Sequence, residues 1–186
     1  MTDIARIIAA AMACFIDKER PMRRLIRSCA VLVPLLCQAI PTGPAVARDW
    51  KDYGNARFGY SICYPADLMT AQPEADNGDG RVFTGRSGAS LRVWGSYNAA
   101  EEDIDAIVAG VTGSGKVTYR SASKDWVAVS GRKGGEIFYA KILLQKDKAG
   151  AIETTKSFVL TYPAKEAATY DAIAARLAKC FSTASN

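Results

Sequence analysis

Phe58, Tyr60, Ile62 and Tyr64 alternate with Gly59, Ser61 and Cys63, the two-residue period of a half-buried strand. Pro65 has no N–H to donate, so the strand is expected to end there. Asp49–Tyr53, polar and aromatic, suits one arm of a hairpin leading into it. Met69 to Gly80 shows no clear period and is expected to be irregular. Arg81–Thr84 and Ser90–Tyr97 are expected strands, joined by the turn residues Gly85-Arg-Ser-Gly88. Ile104, Ile107, Val108 and Val111 then recur at the spacing of one helix face, and Gly110 to Gly115 stops that helix. Asn98-Ala-Ala-Glu101 has the form of a capping box, and Glu101, Glu102 and Asp103 suit the positive end of the helix dipole.

Four more strands follow, over Val117–Ala122, Trp126–Gly131, Glu136–Gln145 and Ile152–Tyr162. Their connections are short, which favours antiparallel neighbours. Pro163 is tolerated in the first turn of a helix and is expected to open the last one. Tyr170, Ile173, Ala174, Leu177, Cys180 and Phe181 form its apolar stripe. The expected fold is α+β, in the order β-β-β-α-β-β-β-β-α, with an antiparallel sheet of about six to seven strands flanked by two main helices.

The beginning of the chain reads differently. Met22-Arg-Arg-Leu-Ile-Arg27 is basic, Cys29 to Ile40 is an apolar run, and Ala45-Val-Ala47 is a small-residue cleavage signal. Residues 22–47 are therefore read as a secretory signal peptide. Met22 is the expected true start, residues 1–21 a spurious extension, and 48–186 a single globular domain that is periplasmic or secreted. No stable membrane span is expected after cleavage.

Export changes the meaning of the cysteines. Cys14, Cys29 and Cys37 leave with the leader, and Cys63 and Cys180 remain. Two cysteines in an exported domain are expected to form one disulfide. The closing helix places Cys180 on its sheet-facing stripe, within reach of a strand cysteine.

The order of elements, together with Phe58-Gly-Tyr-Ser-Ile-Cys-Tyr-Pro65, resembles the PsbP-like family. That family takes its name from an extrinsic subunit of photosystem II and includes many exported bacterial domains. The resemblance covers about residues 50–182 and implies an α-β-α sandwich with a non-catalytic binding or assembly role. It carries no catalytic residue over to this chain.

Charge narrows the field. The formal net charge is +5, but residues 1–47 hold six Lys/Arg against three acids, leaving 18 basic and 16 acidic residues in the remainder. A domain so balanced has no strong electrostatic reason to bind nucleic acid. Strand aromatics such as Trp94, Tyr97, Trp126 and Tyr139, with Arg92, Arg120 and Lys141 nearby, are read as cross-strand packing rather than a base-stacking platform. The chain has no histidine, which removes Ser–His–Asp and Cys–His catalysis and imidazole-ligated zinc.

Three motifs come close to chemistry and miss. Gly110-Val-Thr-Gly-Ser-Gly-Lys116 has Val117 where a P-loop needs a hydroxyl, and it runs from helix to strand, the reverse of the P-loop order. Ser121-Ala-Ser-Lys124 and Ser130-Gly-Arg-Lys133 lack the partner motifs of serine acyl-enzymes. In Glu74-Ala-Asp-Asn-Gly-Asp-Gly80, the acids Glu74, Asp76 and Asp79 are weak candidates for a cation, although the Asn-Gly and Asp-Gly pairs are ordinary turn formers.

No catalytic residue and no cofactor is assigned. The expected function is an exported, non-catalytic binding or assembly-accessory domain of the bacterial cell envelope, acting on an envelope protein or a small ligand. Two alternatives are a carboxylate hydrolase, drawing on Asp67, Glu74, Asp76, Asp79 or Asp125, and a carrier of a small apolar ligand.

Overall fold

The computed structural model of the chain describes residues 48–183. The signal peptide expected over 22–47 and the extension over 1–21 lie outside the described residues. Five strands come first: β1 (Trp50–Asn55), β2 (Tyr60–Pro65), β3 (Met69–Glu74), β4 (Gly80–Gly85) and β5 (Ser90–Tyr97). Helix α1 (Ile104–Thr112) separates them from β6 (Lys116–Ala122), β7 (Trp126–Lys133), β8 (Glu136–Lys146) and β9 (Ile152–Pro163). Helix α2 (Ala167–Cys180) and a short β10 (Ser182–Thr183) end the described chain.

Seven strands form one antiparallel sheet in the order β3-β4-β5-β9-β8-β7-β6. Two meanders meet where β5 pairs along its whole length with β9, from Ser90 opposite Thr161 to Tyr97 opposite Thr154. The β7–β8 hairpin turns through Gly134, whose φ of 59° is reached by few residues other than glycine. On one face, Ile107 and Val108 of α1 pack against Val127, Val129, Phe138, Ala140 and Ile142. A nine-residue helix is not stable in isolation, so this packing holds α1 in place. Burying each of those two side chains contributes about 1.5–3 kcal/mol.

The other face carries the larger core. Phe83, Leu91, Phe158 and Leu160 meet Tyr170, Ile173 and Leu177 of α2 there. This layer is shared by a second sheet, because β1, β2 and β10 form a separate three-stranded sheet. The α+β class holds, but the strand expected over Phe58–Tyr64 begins at Tyr60 and belongs to the small sheet. Aromatic edges weld the two sheets together: Tyr53 and Tyr64 both pack on Phe83, and Phe181 stands edge-on to Tyr60 and Phe158.

Four other expectations are corrected. Met69–Glu74 is a strand rather than part of an irregular segment. It lies at the sheet edge with a register shift between Ala71 and Glu74, and the edge is where Pro73 is tolerated. The first helix starts at Ile104, capped by the Asp103 carboxylate, which accepts from the N–H groups of Asp105 and Ala106. Pro163 ends β9 and leads into a 3₁₀ turn over Ala164–Glu166, so α2 begins at Ala167. The two-residue β10 was not expected at all, and it pairs with Ser61 and Tyr60 of β2.

The disulfide forms as expected. Cys63 of β2 and Cys180, the last residue of α2, are bonded with a Cα–Cα distance of 5.8 Å. Their sequence separation is 117 residues, and closing a loop of that size stabilises a fold by about 4–5 kcal/mol in the chain-entropy model.

Candidate functional site

A cleft of about 800 Å³ opens at one end of the seven-stranded sheet. It is built where β5, β6 and β8 end and where β7 and β9 begin. Its apolar floor comes from Ile104, Trp126, Val127, Leu144 and Ile152. Of these, Val127 is fully buried while the others are half-exposed, so the floor is anchored in the core and open to solvent. Tyr97 stands on the rim, 63% exposed, with its ring 5.1 Å from that of Phe58.

One wall is the loop from Asn98 to Asp103, and Asn98 holds it rigid. Its Nδ2 donates to the carbonyls of Glu102 (2.9 Å) and Ile152 (3.0 Å), and its Oδ1 accepts from the Glu102 N–H (3.0 Å). Its own N–H donates to the Glu153 carbonyl. Asn98 is thus a staple between loop and β9 rather than the expected helix cap. Glu101 is held at a φ of 53°, the left-handed region that costs a non-glycine residue on the order of 1 kcal/mol.

Acids dominate the lining. Glu101, Glu102, Asp103, Asp147 and Glu153 face Arg120 and Lys146. Two of the five have structural duties: Asp103 caps α1, and the Asp147 carboxylate accepts from the Ala151 N–H at 2.8 Å. Arg120 is tied to Asp105 at 2.6 Å. The carboxylates of Glu101, Glu102 and Glu153 are exposed and make no hydrogen bond or ion pair among the described residues.

Of the acids singled out from the sequence, Asp67, Glu74, Asp76 and Asp79 lie away from the cleft lining. Glu74 Oε1 accepts from the Tyr53 hydroxyl at 2.6 Å and from Asn55 Nδ2 at 3.1 Å, and its other oxygen lies 3.7 Å from Arg81. Burial, followed by the bond to Glu74, pushes the Tyr53 hydroxyl above its ordinary pKa. Asp79 Oδ2 accepts from Asn77 Nδ2 at 2.8 Å, while Asp76 is exposed on the same turn. Among the described residues no three Asp, Glu, Cys or His side chains come together in a way that would hold a metal ion. Asp67 pairs with Arg48 away from the cleft, whereas Asp125 pairs with Lys124 in the β6–β7 turn, between the cleft-lining residues Ser123 and Trp126.

The remaining motifs are also dispersed. Gly110 lies inside α1, Gly113 caps its C-terminus and Lys116 opens β6, so the near-P-loop does run from helix to strand. The strand aromatics do not form one platform. Phe138, Phe158 and Tyr162 are buried, Phe138 in the core under α1 and the other two in the core under α2.

The cleft itself was missed in the sequence. Its residues come from five strands, the start of α1 and the loops between them, and three of its five acids looked like ordinary first-turn helix residues. The one usable signal was their density, four acids between Glu101 and Asp105.

An antiparallel sheet with α1 on one face and with α2 and a small sheet on the other defines an α+β sandwich. The chain has a PsbP-like fold: it superposes on the solution structure of cyanobacterial PsbP (CyanoP) from Synechocystis sp. PCC 6803 with a TM-score of 0.52 at 12% identity, over 76% of this chain and 96% of that one. The Ran-binding protein Mog1p of Saccharomyces cerevisiae aligns with a TM-score of 0.44 at 10% identity, over 74% of this chain and 96% of that one. No family model and no curated protein matches the chain.

Proposed function

We propose that the chain is an exported, non-catalytic binding or assembly-accessory domain of the bacterial cell envelope, and that its partner docks in the cleft between the Asn98–Asp103 loop and the ends of β7 to β9. The observation that carries this reading is the cleft: an apolar floor that is half-exposed, ringed by acids that are exposed and unpaired among the described residues. The groups whose proton affinity burial perturbs, Tyr53, Tyr60, Tyr139, Tyr162, Lys141 and Lys156, sit within the sheets and away from the cleft lining.

Two observations support export. One is the basic, apolar and Ala-x-Ala order of residues 22–47. The other is the Cys63–Cys180 disulfide, a bond that persists in oxidising compartments. The resemblance to cyanobacterial PsbP is one of fold, and it suits a role in assembly.

Photo-crosslinking in the native host tests the docking reading. A crosslinker at Tyr97 is expected to capture a discrete envelope protein, while one at Val82, on the sheet surface far along β4, is not. Equal capture from both positions would remove the cleft from the reading. Hydrolysis of an ester or glycoside that is abolished by Glu102→Gln would replace binding with catalysis.

A further inference from the structure

We infer that the cleft takes an extended segment of a partner protein in which lysine or arginine side chains flank an apolar one; this rests on the cleft being the docking site proposed above. Charge is the first argument. Five acids and two bases line the cleft, whereas residues 48–183 as a whole hold 18 bases and 16 acids. The cleft end is therefore negative on a slightly basic domain, and such a field attracts cations and repels anionic peptides and nucleic acid. Because Asp103 and Asp147 serve the fold and Arg120 is engaged by Asp105, the charged groups left to meet a ligand are Glu101, Glu102 and Glu153 against the single base Lys146, which keeps the free rim acidic.

Spacing separates the cationic candidates. A bare metal ion needs several oxygens converging on one point, and among the described residues no such group exists. Carboxylates spread along a rim suit several separate cationic groups instead. A polyamine would meet the charge but leave Trp126, Leu144, Ile152 and Tyr97 without a partner. A peptide uses both features: its apolar side chain covers the floor and its basic side chains reach the rim. Asn98 fixes the acidic loop before the partner arrives, which lowers the ordering cost of binding.

The test uses the purified full chain and a fluorescein-labelled octapeptide of alternating lysine and leucine, followed by anisotropy. Saturable binding is expected, weakening as salt rises. Reversing two rim charges with Glu102→Lys and Glu153→Lys is expected to weaken it about tenfold or more. The milder pair Glu102→Gln and Glu153→Gln is expected to weaken it less. Unchanged far-ultraviolet circular dichroism shows that both variants keep the fold.

A glutamate–leucine peptide binding as tightly as the lysine–leucine one would overturn the inference. So would charge reversal without effect, or spermine or a lysine–serine peptide competing as well as lysine–leucine. If Tyr97 crosslinks a partner in the host while the lysine–leucine peptide ignores the cleft, docking stands and this inference falls. If Tyr97 captures nothing, both fall.

Discussion

Phe58 lies directly on Gly95. A Cβ added at Gly95 would meet Phe58 Cγ at 2.1 Å, so the absence of a side chain in β5 is what lets the small sheet seat itself on the large one. Gly95→Ala is expected to lower stability by about 1–3 kcal/mol, the usual penalty for overpacking. Gly54→Ala is the control, since nothing lies within 4 Å of its Cβ position. Urea midpoints measure both, and an equal shift in the two variants would mean that the Phe58–Gly95 contact is not what matters.

Asn55 is the polar counterpart of that seat. It is 4% exposed, its Oδ1 accepts from the Phe58 N–H at 2.9 Å, and its Nδ2 donates to the Gly78 carbonyl at 3.0 Å and to Glu74. Asn55→Ala strands these partners and is expected to cost about 1–3 kcal/mol. Because Glu74 is already committed to Tyr53 and Asn55, millimolar Ca²⁺ is expected to leave the melting temperature unchanged. A calcium-dependent rise that Glu74→Gln abolishes would restore the cation reading of Glu74, Asp76 and Asp79.

Lys156 is 4% exposed, and its ammonium donates to Gln145 Oε1 at 2.6 Å without a carboxylate partner. Desolvation lowers its pKa below the ordinary 10.5. Between the lowered value and 10.5, the unfolded chain binds more protons than the folded one, so stability rises with pH through that window. Below the lowered value the full penalty of a buried charge applies. Lys156→Met is expected to raise stability at neutral pH and to flatten part of the alkaline rise. Gln145 is exposed and can turn to water. Lys141, also lowered by burial, keeps the remainder of the slope. Equilibrium unfolding of the wild type and Lys156→Met is compared at pH values from about 7 to about 9, short of the range where Tyr53, Tyr60, Tyr139 and Tyr162, raised by burial, make stability fall with pH; a variant less stable than the wild type at neutral pH would show the ammonium to be stabilising.

Reduction should weaken the domain. Dithiothreitol, or Cys63→Ser with Cys180→Ser, is expected to lower stability by about 2–5 kcal/mol. A melting temperature indifferent to reductant would show the bond to be dispensable.

Much of the fold was legible because it rests on periodicity. The Ile107 and Val108 stripe, the Tyr170–Leu177 stripe and the β5 alternation are local patterns, and each maps onto a buried face. The failures have physical causes. Pro73 and the Glu74–Gly80 turn composition hid β3, which survives because its outer edge needs no partner. Asn98 and Asp103 both have cap chemistry, and local sequence alone does not say which one the chain uses. β10 is two residues long and is defined by its neighbour β2 rather than by itself. The cleft was invisible for the same reason, since its floor and rim become adjacent through strand pairings distant in sequence.

Cys180 enters the chain 117 residues after its partner, with the whole seven-stranded sheet and nearly all of α2 between them. A ribosome must therefore have made every one of those elements before the thiols can meet. Oxidation thus reports on completion: a product that stops short of Cys180 carries a free Cys63, and only the finished chain can close the bond.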